Sequence, residues 1–203
     1  GASRPVQRSP NASLWHEPPG GRGPSEVVNG LLSGQDDTLF GMHRTLLRME
    51  RSTAFGEVTP VGGILVRPWR HRDHTRIPDV YARAFGNDPW PSDWDDFAEF
   101  DPKGVFIAES VDGAGVGFSI CFCREDHGYI SVVAVVPEYR RRGIGSALVA
   151  TAMEYLASQG LGRVRIDAYT DAPAAVATYR SLGFEVYETI VDREADPPGA
   201  AEE

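Results

Sequence analysis

The stretch "VAVVPEYRRRGIGSALVATAMEYL", residues 133–156, decides how this chain folds. It opens on an apolar run, stops at Pro137, and turns through three arginines and two glycines. It then continues as a helical repeat with Ile144, Leu148, Tyr155 and Leu156 along one side. A strand that passes directly into a helix leaves the first N–H groups of that helix unpaired. Their partial positive charge, added to the macrodipole, favours an anion. Gly143 and Gly145 lack Cβ atoms, so the backbone can curl tightly and let a phosphate approach the amides. Arg140, Arg141 and Arg142 bring formal positive charge to the same turn. The turn therefore reads as a cradle for a diphosphate. It lacks the GxxxxGK[ST] spacing of a nucleotide P-loop, and Leu148 stands where a G-x-G-x-x-G fingerprint needs its third glycine.

Working outward, "GYISVVAVV" before the turn predicts a buried strand, and residues 143–158 predict the helix that follows. "ILVR" at 64–67 predicts a strand ended by Pro68. Ile77, Val80, Tyr81, Ala84 and Phe85 recur at helical spacing, with Pro78 in the first turn, where a missing N–H costs little. "GVFIAES", the turn "VDGAG" and "VGFSICFC" predict a hairpin. "RVRIDAY" predicts a strand, "APAAVATYRSL" a helix closed by Gly183, and "FEVYETIV" a last strand. The order β-α-(α)-β-β-β-α-β-α-β gives an α/β (α+β) domain, a mixed and mostly antiparallel sheet with helices on both faces.

At 203 residues the chain suits one ordinary domain with an extension. The expected division is an irregular N-terminal extension over 1–60, a compact domain over 61–194 and a disordered tail over 195–203. The formal net charge of −9 argues against a nucleic-acid partner, which needs a basic face. No apolar run approaches the ~20 residues of a membrane span. There is no secretory pattern, and the start at "GAS" without Met reads as processing or a cut from a longer chain. Cys121 and Cys123, two apart on a predicted strand, read as reduced packing residues of a cytoplasmic protein. One CxC does not make a metal site, so no metal is expected.

The full string resembles the GNAT superfamily of acyl-CoA-dependent N-acetyltransferases. That family's cofactor loop reads [Q/R]-x-x-G-x-[G/A], and Arg140, Gly143 and Gly145 match it in register. "VAVVPEY" resembles its hydrophobic strand and lead-in, and "ATYRSLGFEVYET" its tyrosine-bearing helix, Leu-Gly-Phe turn and last strand. The resemblance covers residues 64–192. It implies a splayed sheet in which main-chain groups of Val133, Ala134 and Val135 hold the pantetheine arm of acetyl-CoA. Arg140, Arg141, Arg142, Gly143, Ile144, Gly145 and Ser146 would form the loop around its pyrophosphate. It also implies direct acyl transfer to an amine, with Tyr179 as the general acid toward sulfur and an N–H near Val135 facing the oxyanion.

Glu109, Asp126, His127 and Asp167 are the candidate general bases, with Glu109 taken first. Many relatives carry Asn seven residues before the tyrosine; this chain has Ala172, with Asp171 beside it as a helix cap.

The expected function is N-acetyl transfer to a primary amine of a small molecule or peptide. A noncatalytic acyl-CoA sensor or docking module is the alternative, which Ala172 and the lack of an obvious base favour. A nucleotide-binding protein is a weaker third reading. The segment "FGNDPWPSDWDDFAEFDP" interleaves carboxylates, including Asp95 and Asp96, with aromatics, and so suits a cationic acceptor. "HRTLLRMERS" looks like the final strand of such a domain. Residues 27–51 therefore read as a remnant of a preceding unit, an added element covering an edge or the acceptor cleft, or a homodimer contact.

Overall fold

Period-two alternation of apolar side chains sets the strand at the centre of the sheet. In strand β5, Gly128–Val135, buried and half-buried residues alternate along its whole length. The computed structural model describes residues 44–54, 59–86 and 102–192. The acidic and aromatic run at 87–101, the first 43 residues and the tail from 193 lie outside the described residues.

In chain order the elements are β1 (Arg44–Ser52), β2 (Ile64–Pro68), α1 (Arg76–Ala84), β3 (Val105–Ser110), β4 (Gly115–Cys123), β5, α2 (Ile144–Ser158), β6 (Arg163–Tyr169), α3 (Pro173–Ser181) and β7 (Glu185–Asp192). Pro78 falls in the first turn of α1, as expected. The strands form one sheet ordered β2-β3-β4-β5-β6-β1-β7. Every neighbouring pair is antiparallel except β5 and β6. That pair is joined by α2, because parallel neighbours need a crossover connection.

Both faces are covered around β4. The Ser119 hydroxyl reaches toward the Leu148 carbonyl of α2, so Ser119 points to the α2 face. Its neighbours Phe118 and Ile120 point the other way and are equally buried. Helix α1 packs on β4 and β5 and, with α2, gives the layered arrangement expected from the sequence. The core of α2 is built from Ile144, Leu148, Met153 and Leu156, each at most 1% exposed. Burying side chains of this size contributes about 1.5–3 kcal/mol apiece.

Strand β1 has the least expected position. Residues 44–52, which the sequence reading placed in an N-terminal extension, lie inside the sheet between β6 and β7. The strand pairs with β6 from Leu46↔Tyr169 to Ser52↔Arg163, and with β7 from Arg44↔Asp192 to Glu50↔Glu185. Since β1 is antiparallel to both, β6 and β7 run parallel to each other. Met49 is fully buried, and Arg48 and Glu50 carry charges on the opposite face, where they pair with Glu188 and Arg165.

Next to the first β-hairpin lies a buried ionic cluster. Arg67 donates to both oxygens of the fully buried Asp73 at 2.7 and 2.8 Å, and to Glu109 at 2.9 Å. Arg76 adds contacts to Asp73 and Glu109 at 3.3 and 3.0 Å. This cluster ties β2, the turn before α1, α1 itself and β3 together.

Candidate active site

The site begins where two strands part. β5 and β6 pair only at Gly128↔Val164, Tyr129↔Arg165 and Ile130↔Ile166, although both strands continue to Val135 and Tyr169. The parting starts at a bulge. Ile120 faces Val132 and Cys121 faces Ile130, which leaves Ser131 extra on β5. Beyond it, backbone groups alternate in direction. The Val136 N–H donates to the Val116 carbonyl at 3.0 Å, so Ala134 and Val132 also turn their main-chain groups toward β4. Val133 and Val135 then turn theirs toward the gap. Of the three strand residues expected to hold a pantetheine, Val133 and Val135 present their backbone to the opening. Ala134 is committed to the ladder with β4.

The turn after β5 carries positive φ twice, at Arg141 (φ 62) and at Gly143 (φ 82), the N-cap of α2. A left-handed arginine costs about 1–3 kcal/mol and persists only where its surroundings hold it. The first bond from the helix back to its cap runs from the Ala147 N–H to the Gly143 carbonyl at 3.0 Å. The amides of Ile144, Gly145 and Ser146 are therefore free of the helix's own ladder and gather at one end of the gap.

The three arginines do different things. Arg140 donates to the Val135 carbonyl at 3.0 Å and to the Ala84 carbonyl at 2.6 Å, bracing the turn against β5 and the end of α1. Arg142 donates to the Glu138 carbonyl at 3.0 Å and stacks over the Tyr139 ring at 4.8 Å. Arg141 is exposed and has no side-chain hydrogen bond or ion pair among the described residues. Two of the three thus hold the shape of the turn, which leaves the backbone amides and Arg141 to meet an anion.

Tyr179 projects from α3. Its ring is buried and lies 6.1 Å from the Phe184 ring, and its hydroxyl has no hydrogen bond among the described residues. Burial, with a smaller contribution from the Asp167 charge, pushes its ionisation well above the ordinary phenol value. The side chain is therefore a neutral O–H donor. The α3 N-cap position is Ala172 itself, which has no side-chain acceptor, and Asp171 stands one residue before it.

A profile described as the acetyltransferase (GNAT) family matches residues 71–184, which span the turn, the gap and Tyr179. The chain belongs to the GNAT acetyltransferase family. Among curated relatives, a mycothiol acetyltransferase of Tsukamurella paurometabola is 32% identical over 169 residues, covering 73% of this chain and 58% of that relative. The chain thus spans little more than half the length of that relative. Among solved structures, a GCN5-related N-acetyltransferase from Sphaerobacter thermophilus superposes with a TM-score of 0.63 at 24% identity, covering 73% of this chain and 50% of that one. AAC(6')-Iy in complex with the bisubstrate analogue CoA-S-monomethyl-acetylneamine superposes with a TM-score of 0.53 at 19% identity, over 66% of this chain and 99% of that one. These two likenesses show the fold.

Within this GNAT domain the four carboxylate and histidine candidates separate by environment. Glu109 belongs to the ionic cluster. Arg67 beside it, with Arg76, holds its carboxyl below the usual range, so it is a poor proton acceptor. Asp126 and His127 pair with each other at 2.7 Å, and Asp126 also meets Arg163 at 3.3 Å. They sit just before β5 begins, at the opposite end of the strand from the gap.

Asp167 differs from all three. It follows Ile166, the last β6 residue paired with β5, and accepts from the Tyr129 hydroxyl at 3.1 Å. Its side chain is 7% exposed, and Arg48 of β1 lies 4.0 Å away. Desolvation raises its pKa; the Tyr129 hydrogen bond and the Arg48 charge pull the other way.

Sequence reasoning named Asp167 without ranking it and missed Tyr129 and Arg48. The alternation in "RIDAY" places Asp167 on one face of a strand, but its two partners come from 38 residues upstream and from the inserted β1. Among the described residues no group of three or more His, Cys, Asp or Glu side chains gathers into a metal site. No helix among them is long and apolar enough to cross a membrane.

Proposed function

We propose that this chain transfers an acetyl group from acetyl-CoA to an amine by direct attack. The observation that carries this reading is the parting of β5 from β6 beyond Ile130 and Ile166, beside the free amides at the start of α2. The site fits the cofactor, with main-chain groups along the gap for a pantetheine and helix-end amides for a diphosphate. Val133 and Val135 would hold the arm, residues 141–146 the pyrophosphate, and Arg140 the shape of the turn. When bound, acetyl-CoA supplies an activated thioester carbonyl.

The chain's own groups then divide the work. Asp167, buried and raised in pKa, takes the proton that the attacking nitrogen must lose. Tyr129 holds that carboxylate in place through its hydroxyl. The Val135 N–H, facing the gap, steadies the carbonyl oxygen as negative charge develops on it. The neutral Tyr179 hydroxyl donates to the sulfur as the carbon–sulfur bond breaks, and the thiolate ends protonated from that side. Glu109, saturated by arginines, takes no part.

A small-molecule acceptor is supported by the mycothiol acetyltransferase relative. Its cationic character rests on the carboxylate-rich sequence around Asp95 and Asp96. The reading is tested by following thiol release from acetyl-CoA across a panel of small-molecule and peptide amines. Turnover with at least one amine, abolished by removing the enzyme, is the expected result. Calorimetric binding of CoA with no turnover for any amine supports the sensor instead, and no binding heat at all removes both.

A further inference from the structure

The chain leaves β1 under firm anchorage. The Thr53 N–H donates to the Gly162 carbonyl at 3.1 Å, and its hydroxyl to the Leu161 carbonyl at 2.7 Å. Gly162 precedes β6 and Gly143 follows β5. Because those strands are parallel, the two glycines mark opposite ends of the helix layer. Val61 nevertheless reaches the second of them: a Cβ on Gly143 would lie 3.7 Å from the Val61 Cγ2. The Ile64 N–H closes a turn onto the Val61 carbonyl at 3.1 Å and leads into β2. Thr53 is thus held beside β6, and residues 59–62, just before β2, lie against the turn after β5.

A cleft of ≈ 290 Å³ opens at that contact. Residues 59–62 line it, together with Arg142 and Gly143 of the turn, Ser146, Ala147 and Ala150 of α2, and Leu182. The cleft is polar where it meets the free amides near Gly143 and Ser146. Pro60, Val61, Ala147, Ala150 and Leu182 supply its apolar lining. A nucleoside diphosphate has the matching polarity, an anionic end joined to a flat heteroaromatic ring.

We infer that residues 59–62 wall the nucleotide end of the acyl-CoA site, so that a linker outside the family match contacts the adenosine part of the cofactor. This rests on the reading that the α2 amides take the CoA diphosphate. It makes residues upstream of the family match part of the binding site.

The test uses the full chain and an azidoadenine photoaffinity analogue of CoA. After illumination and tryptic digestion, the label is expected on the peptide 52–70, which holds the whole linker wall and stays intact at Arg67 because Pro68 follows it. An excess of CoA should suppress it. A second arm replaces exposed Pro60 with Glu, which adds a carboxylate to the wall of the cleft that an anionic nucleotide would enter, without touching the core. Calorimetry should show CoA binding weakened about tenfold, the effect of a like charge at a few ångström in a partly screened site. Label confined to other peptides, with Pro60→Glu binding CoA as the parent does, overturns the wall while leaving the cofactor reading intact. Failure of the unaltered chain to bind CoA overturns both.

Discussion

Tyr179→Phe separates a chemical role for this residue from a packing role. The substitution keeps the buried ring against Phe184 and removes only a hydroxyl that has no hydrogen-bond partner among the described residues. Deleting an unpaired buried hydroxyl leaves no orphaned partner, so the stability change should stay within about 0.5 kcal/mol. The catalytic cost has a different source. A positioned proton donor contributes roughly 10²–10⁴-fold to rate. At about 1.36 kcal/mol per decade this is about 3–5 kcal/mol of transition-state stabilisation. The paired assays are thiol release at saturating acetyl-CoA and urea unfolding of the same two proteins. A fall in kcat of at least about a hundredfold, at an unchanged unfolding midpoint, is expected. An unaltered kcat would show that Tyr179 is a core aromatic only. A loss of kcat matched by a loss of stability would show that the hydroxyl supports the fold, and the assignment as proton donor would be withdrawn.

Three further outcomes follow from the geometry. Asp167→Asn should lower kcat/KM by about 10²-fold or more and remove the acidic limb of its pH profile, which in the parent should lie above the ordinary carboxylate range because burial raises this pKa. A raised carboxylate pKa stabilises the fold fully only below the unfolded value and loses that contribution as pH rises through the folded one, so Asp167→Asn should also be the more stable protein at neutral pH in denaturant titrations. Asp73→Ala should cost about 3–5 kcal/mol, because it breaks the buried pair with Arg67 and leaves that guanidinium only Glu109 as a carboxylate partner. Arg67 depresses the Asp73 pKa, so the parent's share of this stability is present above the unfolded carboxylate value and is lost as pH falls through the folded one. Removing residues through Ser52 should abolish cooperative unfolding, measured by circular dichroism against temperature, because it strips a strand paired on both sides and exposes the inner edges of β6 and β7.

The amino-acid sequence determined those features whose physics is local. The stop at Pro137, the glycines after it and the apolar period of residues 144–156 are enough to place a strand, a tight turn and a helix with its amides exposed. Alternation in "RVRIDAY" and the helical spacing around Tyr179 likewise needed no partner. What only the tertiary structure decided depends on contacts between distant segments. Three identical arginines became two braces and one free cation, according to which carbonyls lay nearby. The candidate bases were set apart in the same way: two arginines occupy Glu109, while burial left Asp167 with a raised pKa. Strand β1 is a further instance. Its hydrogen bonds close only against β6 and β7, more than a hundred residues later in the chain, and no local pattern records which edges will be waiting for it.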